Sequence, residues 1–151
     1  MLATADEALA AFGSSKGLGQ LAFNTDRICS VEFDKSLVVE IEDRPDDATI
    51  RLNSPLRPLG DADMDVLLQL LAANFNGAGT GKAALAFNMA SGDIVLTQGI
   101  EYRHHSAASF VAELDRFLRI AVFWESHAAT LQPDIATEAP AFGDDMINIR
   151  L

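Results

Sequence analysis

The fold of this chain is decided by residues 61–75, DADMDVLLQLLAANF, which indicate a helix with apolar side chains on two opposite faces. At about 100° per residue, the apolar positions form two stripes that polar positions separate. A helix of this kind needs two hydrophobic partners, so we expect one stripe to cover a sheet and the other to contact a second subunit. One stripe comprises Met64, Leu67, Leu68, Leu71 and Phe75, and the opposite stripe comprises Val66, Leu70 and Ala73.

The pattern does not decide which stripe faces the second subunit. Candidate dimer-interface residues are therefore taken from both stripes: Met64, Val66, Leu67, Leu70, Leu71 and Ala73.

Composition and charge limit the classes of partner that the chain can bind. The chain has 151 residues, 49% of them hydrophobic, which fits one domain with one core. Its 22 acidic and 11 basic residues give a net charge of −11, which disfavours nucleic acids and anionic membranes as partners. The sequence has neither a basic segment followed by an apolar run at its start nor a run of about 20 apolar residues, so we expect a cytoplasmic protein.

Periodicity outward from the helix predicts an α+β fold. Thr4 and Glu7 make a capping box for a first helix, and Pro55 and Pro58 are expected to end the third of three strands. The glycines of residues 77–81 end helix 61–75, and a hairpin with a turn at residues 90–92 follows. The predicted order is α-β-β-β-α-β-β-α, with an antiparallel twisted sheet and helices packed against it. The strands are placed at residues 28–33, 37–41, 48–53, 82–89 and 93–97, and the last helix at 106–129.

Alternation along the first three strands predicts which side chains lie in the core. One buried face is expected to contain Val31, Phe33, Leu37, Val39, Ile41, Ile50 and Leu52. The last helix has an apolar face of Phe110, Leu114, Phe117, Leu118, Ala121 and Trp124. Residues 1–130 therefore form the domain. Residues 131–151 are acidic and contain two prolines, so we expect a flexible tail there.

Several apparent catalytic or metal-binding signals do not satisfy the chemistry they resemble. Residues 77–82, GAGTGK, imitate a phosphate-binding loop, but Asn76 replaces its first glycine and Ala83 its final hydroxyl residue, so a flexible connector is expected. The acidic residues at 61, 63 and 65 start like a calcium loop without its turn glycine, and they fit helix capping better. No cofactor, metal site or catalytic residue is predicted. Cys29 reads as a small buried residue, His104 and His105 as a polar loop, and His127 as solvated.

This ordered set of elements resembles the class I chaperones of bacterial type III secretion, the Tir chaperone family. The resemblance covers roughly residues 3–130. It rests on Leu18-Gly19 with Leu21 and Phe23, the strands ICSVEFD (28–34) and LVVEIE (37–42), the link from Pro55-Leu56 to Leu59, the helix end Asn74-Phe75, the strand Ala83-Ala84-Leu85-Ala86, the turn Ala90-Ser91-Gly92 with Ile94-Val95-Leu96, and the helix closing near Trp124.

The resemblance implies a homodimer that binds the amino-terminal region of a secreted effector and keeps it soluble, partly extended and competent for secretion. The central helix of such proteins contributes to the dimer interface. The alternative is a non-catalytic regulatory or interaction module with the same fold, and an enzyme or small-molecule binder is a third possibility. Residues 131–151 depart from the usual shorter ending of the family.

Candidate effector-binding residues are apolar positions that a partner segment can cover. For each of them, ordinary packing against a helix is the competing interpretation. Exposed strand edges offer a partner strand backbone hydrogen bonds as well. The candidates are Leu9 and Phe12 on the first helix, Phe23 before the strands, and Ile28, Val38 and Val95, which point away from the predicted core face.

Overall fold

The computed structural model describes residues 1–34, 36–60 and 64–128. Within them the elements follow the predicted order: α1 (Ala5–Lys16), β1 (Ile28–Phe33), β2 (Leu37–Arg44), β3 (Thr49–Pro58), α2 (Met64–Asn74), β4 (Ala84–Asn88), β5 (Asp93–Glu101) and α3 (Ala107–Ala128). Short 3₁₀ turns at Pro45–Asp47, Phe75–Gly77 and Tyr102–His104 follow β2, α2 and β5. The predictions for caps at residues 61 and 63, for position 35 of the first turn and for the tail at 131–151 lie outside the described residues.

Helix α1 begins where the sequence predicts. The Thr4 hydroxyl accepts a hydrogen bond from the Glu7 N–H at 3.1 Å, and the Glu7 carboxylate accepts from the Ala3 N–H at 2.8 Å. At the other end Gly17 adopts a left-handed conformation with φ of 64°, which side chains with a Cβ rarely adopt. The helix buries Ala5, Ala8, Leu9 and Phe12.

The five described strands form one antiparallel sheet in the order β1-β2-β3-β5-β4. Cys29, Ile41, Leu52 and Gln98 pair in register across four strands, so they lie on one face of the sheet, here called the inner face. Helices α1 and α3 contact each other, and α3 packs on β2, β3 and β5. All the predicted core residues of the first three strands are buried or packed against the core, and the predicted face of α3 is confirmed. The largest fully buried side chains are Trp124, Phe12, Phe110 and Phe117.

The prediction that prolines end the third strand is wrong. Strand β3 continues to Pro58 and pairs with β5 through a register shift between Pro55 and Arg57. Its last residue paired with β2 is Asn53, so the prolines lie where the strand has a partner on one side only. Proline is tolerated at such an edge and at bulges, because no ladder hydrogen bond is lost on the open side.

The connector after α2 is packed rather than loose. The Gly79 carbonyl accepts a 2.7 Å hydrogen bond from Trp124 Nε1, and Thr80 is fully buried. A Cβ on Gly79 would lie 3.0 Å from Ala73 Cβ and 3.3 Å from the Trp124 ring, so glycine permits this close approach. Gly79, one of the glycines that predicted flexibility, therefore allows tight packing against α3.

The end of α3 departs from the prediction at His127. His127, which we predicted to be solvated, stacks on Phe123 with ring centroids 4.6 Å apart, and Phe123 meets Trp124 edge to face at 5.4 Å. Phe123 is packed against the core although it falls among polar positions of the helical pattern. The side chains of His104 and His105 diverge: His104 contacts Glu101 and His105 contacts Ser109.

Candidate partner-binding surfaces

Helix α2 places its two apolar stripes in different environments. Val66 and Leu70 are at most 9% exposed because they pack into the core of their own subunit, and Ala73 is half-buried beside Gly79. The opposite stripe is between 36% and 67% exposed: Met64, Leu67, Leu68, Leu71 and Phe75. This stripe, here called the exposed α2 face, is the one available to a second molecule.

Strand β4 extends the apolar surface next to α2. It is an edge strand of the sheet and the strand on which α2 mainly packs. Phe87 on this strand is 49% exposed, and Met89 just after it is 87% exposed. Contiguous apolar side chains at a protein surface mark interaction sites more often than scattered ones do. Neither residue is recognisable as a surface candidate from the sequence, since Phe87 alternates with Leu85 as an inward-facing residue would.

The second candidate surface is the outer face of the sheet, opposite the face that α1 and α3 cover. Ile28 pairs with Glu42, Val38 with Glu32, and Val95 with Ala86. Each of the three predicted apolar residues lies an odd number of positions from the inner-face residue of its strand, so all three share the outer face. Ile28 and Val38 are half-buried, and Val95 is buried although it stands apart from the main core cluster. The structure thus brings these three candidates onto one side of the sheet, together with Glu32, Glu40 and Glu42.

The remaining candidates do not share that face. Leu9 and Phe12 are at most 1% exposed, so they are core residues of α1 and present no surface to a partner. Phe23 is half-buried and packs against the core, and the Arg27 guanidinium carbon lies 4.6 Å from the centroid of its ring. Burial of Leu9 and Phe12 follows from the close packing of α1 against α3, which the sequence pattern of α1 alone does not specify.

Arg27 joins three segments through its side chain. Its Nη2 donates to Asp6 Oδ2 at 2.9 Å and to Asp43 Oδ2 at 2.6 Å, and its Nε donates to Asp43 Oδ2 at 2.9 Å. The hydrogen bond and charge of Arg27 lower the pKa of Asp6, although burial opposes that change. The guanidinium thus fixes the segment before β1 against α1 and β2. No spacing in the sequence points to this network.

A polar cleft of about 230 Å³ lies between the ends of β5 and α3. Glu113 in this cleft accepts hydrogen bonds from Lys82 Nζ at 2.8 Å and from Arg116 Nη1 at 2.7 Å. Burial raises the pKa of Glu113. The hydrogen bond from Lys82 and the charges of Lys82, Arg116 and His105 together lower that pKa by more than burial raises it, so the net shift is downward. The charged groups of this cleft form a structural ion-pair network around Glu113. Within the described ranges, no group of three or more His, Cys, Asp or Glu side chains is placed to hold a metal ion.

Residues 7–125 match the sequence model of one family, the Tir chaperone protein (CesT) family. The chain belongs to this family. The match includes every helix and strand of the sheet-forming core except the first residues of α1 and the last of α3. No individual curated protein matches the chain. In the part of the chain that the structure describes, no helix is both long and apolar enough to cross a membrane.

Solved structures share the fold of this family member at low sequence identity. In the ExsC–ExsE complex, the matching chain is 21% identical with a TM-score of 0.66, over 80% of this chain and 90% of that one. In the heterodimeric ExoU–SpcU complex of the Pseudomonas aeruginosa type III secretion system, the values are 18% and 0.65, over 84% and 96%. The type III secretion chaperone SycH of Yersinia pestis, in complex with a stable fragment of YscM2, gives 18% and 0.61, over 79% and 98%.

Proposed function

We propose that this chain is a cytoplasmic chaperone of bacterial type III secretion that binds the amino-terminal region of a secreted effector. It keeps that region soluble, partly extended and competent for secretion, and it makes or breaks no bond. The match of residues 7–125 to a chaperone family carries the proposal. The fold supports it, since the ExoU–SpcU complex and the SycH–YscM2 complex contain chains of the same architecture.

The working unit in this proposal is a homodimer. Its interface is the exposed α2 face with Phe87 of β4 and Met89 just after that strand, because these large apolar side chains otherwise remain in water. Val66 and Leu70 support the helix from within the subunit, and Ala73 packs beside the connector. Of the residues expected at the interface, Met64, Leu67 and Leu71 therefore make the contact. A twofold axis would bring the same face of each subunit together.

The effector surface in this proposal is the outer face of the sheet. Ile28 and Val38 offer apolar contacts to alternate side chains of an extended segment, and β1 at the sheet edge offers backbone hydrogen bonds. Binding an extended segment costs ordering entropy, which a long contact offsets through its area. The effector's aggregation-prone apolar residues are hidden in the same step.

The test is copurification with amino-terminal fragments of effectors encoded near this gene. We expect a fragment containing the chaperone-binding segment to copurify and to stay soluble, whereas the same effector without that segment does not. Val38→Thr removes an apolar contact at nearly constant volume and should weaken binding by about threefold to tenfold. Val122→Thr is the matched control, because Val122 is exposed on α3, away from the outer face.

Two results would count against the proposal. If no fragment from the same bacterium copurifies, the chain acts outside effector export, and the regulatory interaction module becomes the better explanation. If a fragment binds but Val38→Thr and Val122→Thr behave alike, effector binding stands and its placement on the outer face is wrong.

A further inference from the structure

The outer edge of β4 is closed at one point by a side chain. The Leu85 N–H donates to Asn74 Oδ1 at 2.8 Å, and Asn74 Nδ2 donates to the Leu85 carbonyl at 2.9 Å. Leu85 lies opposite Leu96 of β5, and both of its backbone groups bond to Asn74, so they point away from β5. The side-chain amide therefore occupies the place that a residue of a sixth strand would take.

Asn74 is the last residue of α2, so this pair of hydrogen bonds joins the helix directly to the strand. The helix has only 11 residues, a length at which an isolated helix is marginal in water. Val66 and Leu70 anchor its inner side by non-directional contacts. The amide adds a directional contact that fixes the helix end relative to the backbone of β4.

The two elements that this amide joins carry the two halves of the proposed interface. The exposed α2 face lies on one side of the link, and Phe87 and Met89 lie on the other. The associated form requires both halves in one arrangement. Any freedom between α2 and β4 in the single subunit has to be removed on binding, which weakens the complex.

We infer that Asn74 is a positioning residue for self-association: its amide holds the exposed face of α2 and the exposed side chains of β4 as one preformed surface. The inference rests on the proposed dimer. A positioning role for Asn74 differs from a purely structural role in one measurable respect. Loss of the amide should weaken association while the subunit keeps its secondary structure.

Asn74→Asp is the sharpest variant because it preserves the size of the side chain. It removes the donor to the Leu85 carbonyl and places a carboxylate beside that oxygen. The dissociation constant of the dimer, measured by sedimentation, should rise about tenfold or more. Asn88→Asp is the matched control: Asn88 also lies on β4, but its Oδ1 accepts a local hydrogen bond from the Ala90 N–H, which aspartate retains. That variant should change the constant by less than about twofold.

A second measurement separates positioning from folding. In a Leu71→Asp background, which is expected to be monomeric, Asn74→Ser should speed hydrogen exchange of the Leu85 amide by about tenfold and leave β1, β2 and β3 unchanged. Circular dichroism of the same samples reports whether the subunit remains folded.

Three outcomes overturn the inference. If wild type never associates, the proposed dimer fails and takes the inference with it. If wild type associates and Leu71→Asp does not, but Asn74→Asp matches Asn88→Asp, the dimer stands and the inference alone is wrong. If both Asn74 variants lose secondary structure in the monomeric background, Asn74 is required for folding rather than for positioning.

Discussion

At the scale of single residues, Arg27 carries more of the structure than its place in the sequence suggests. Its backbone has a positive φ of 61°, which is strained for a residue with a long side chain. The surrounding contacts hold it there: the Asp43 N–H donates to the Arg27 carbonyl at 2.9 Å, and the guanidinium bonds two carboxylates. Asp43 is buried, and its Oδ1 has no hydrogen-bond partner within the described residues.

Arg27→Gln should therefore lower the free energy of unfolding by about 3 kcal/mol, because it leaves the buried Asp43 carboxylate without its cation. Urea unfolding followed by circular dichroism measures this change. Arg44→Gln is the control, since it breaks the more exposed pair with Glu42 and should cost about 0.5 kcal/mol. Adding Asp43→Asn to Arg27→Gln should restore part of the loss. Equal losses for the two arginine variants would contradict this account.

Glu113 makes the stability depend on pH. Its pKa is lower in the folded chain than its ordinary value of 4.5, so the ionised form stabilises the fold above about that pH. This contribution is lost as the pH falls through the lowered pKa. Glu113→Gln should cost about 1–2 kcal/mol at pH 7, and its unfolding free energy should approach that of wild type toward pH 3. Urea titrations at several pH values test this. A gap that is constant between pH 7 and pH 3 would refute it.

At the scale of elements, the sequence predicts the order and the buried faces correctly because each depends on local periodicity. It does not predict features that depend on contacts between elements distant in the sequence. The prolines of β3 are tolerated because β2 has already separated from that strand, and the glycine connector is fixed because Trp124 and Glu113 meet it. The sequence pattern of α2 reveals two apolar stripes, but only packing on β4 shows which stripe is free. Leu9 and Phe12 were candidates for partner contact because α1 alone does not reveal its contact with α3.

Adjacent leucines of α2 give a direct test of this division. Leu70→Ala removes a side chain from the core and should lower the free energy of unfolding of the subunit by about 2–3 kcal/mol. Leu71→Ala, an identical change one residue along the exposed face, should alter subunit stability by less than about 0.5 kcal/mol but weaken association. Chemical unfolding and sedimentation measure the two effects separately. If Leu71→Ala destabilises the subunit as much as Leu70→Ala, the assignment of the faces is wrong.

At the scale of the whole molecule, the two candidate surfaces differ in the charge that surrounds their apolar side chains. The net charge of −11 opposes indiscriminate association. The exposed apolar side chains are concentrated on α2 and β4, while Ile28 and Val38 on the outer face lie among glutamates. In the proposed function, the predominantly hydrophobic surface fits a permanent contact, and the mixed surface fits a partner that is later released.

The proposed dimer predicts how the melting temperature depends on protein concentration. If unfolding of the wild type is coupled to dissociation of a dimer, dilution favours the unfolded chains by mass action. For two chains of this length, a tenfold dilution should lower the melting temperature by roughly 2 °C. Leu71→Asp should melt at a lower temperature that does not change with concentration, because it unfolds as a monomer. Calorimetry across a hundredfold concentration range measures both. A wild-type melting temperature that is independent of concentration, with a sedimentation coefficient of a single folded chain, would mean that the exposed α2 face serves a different partner.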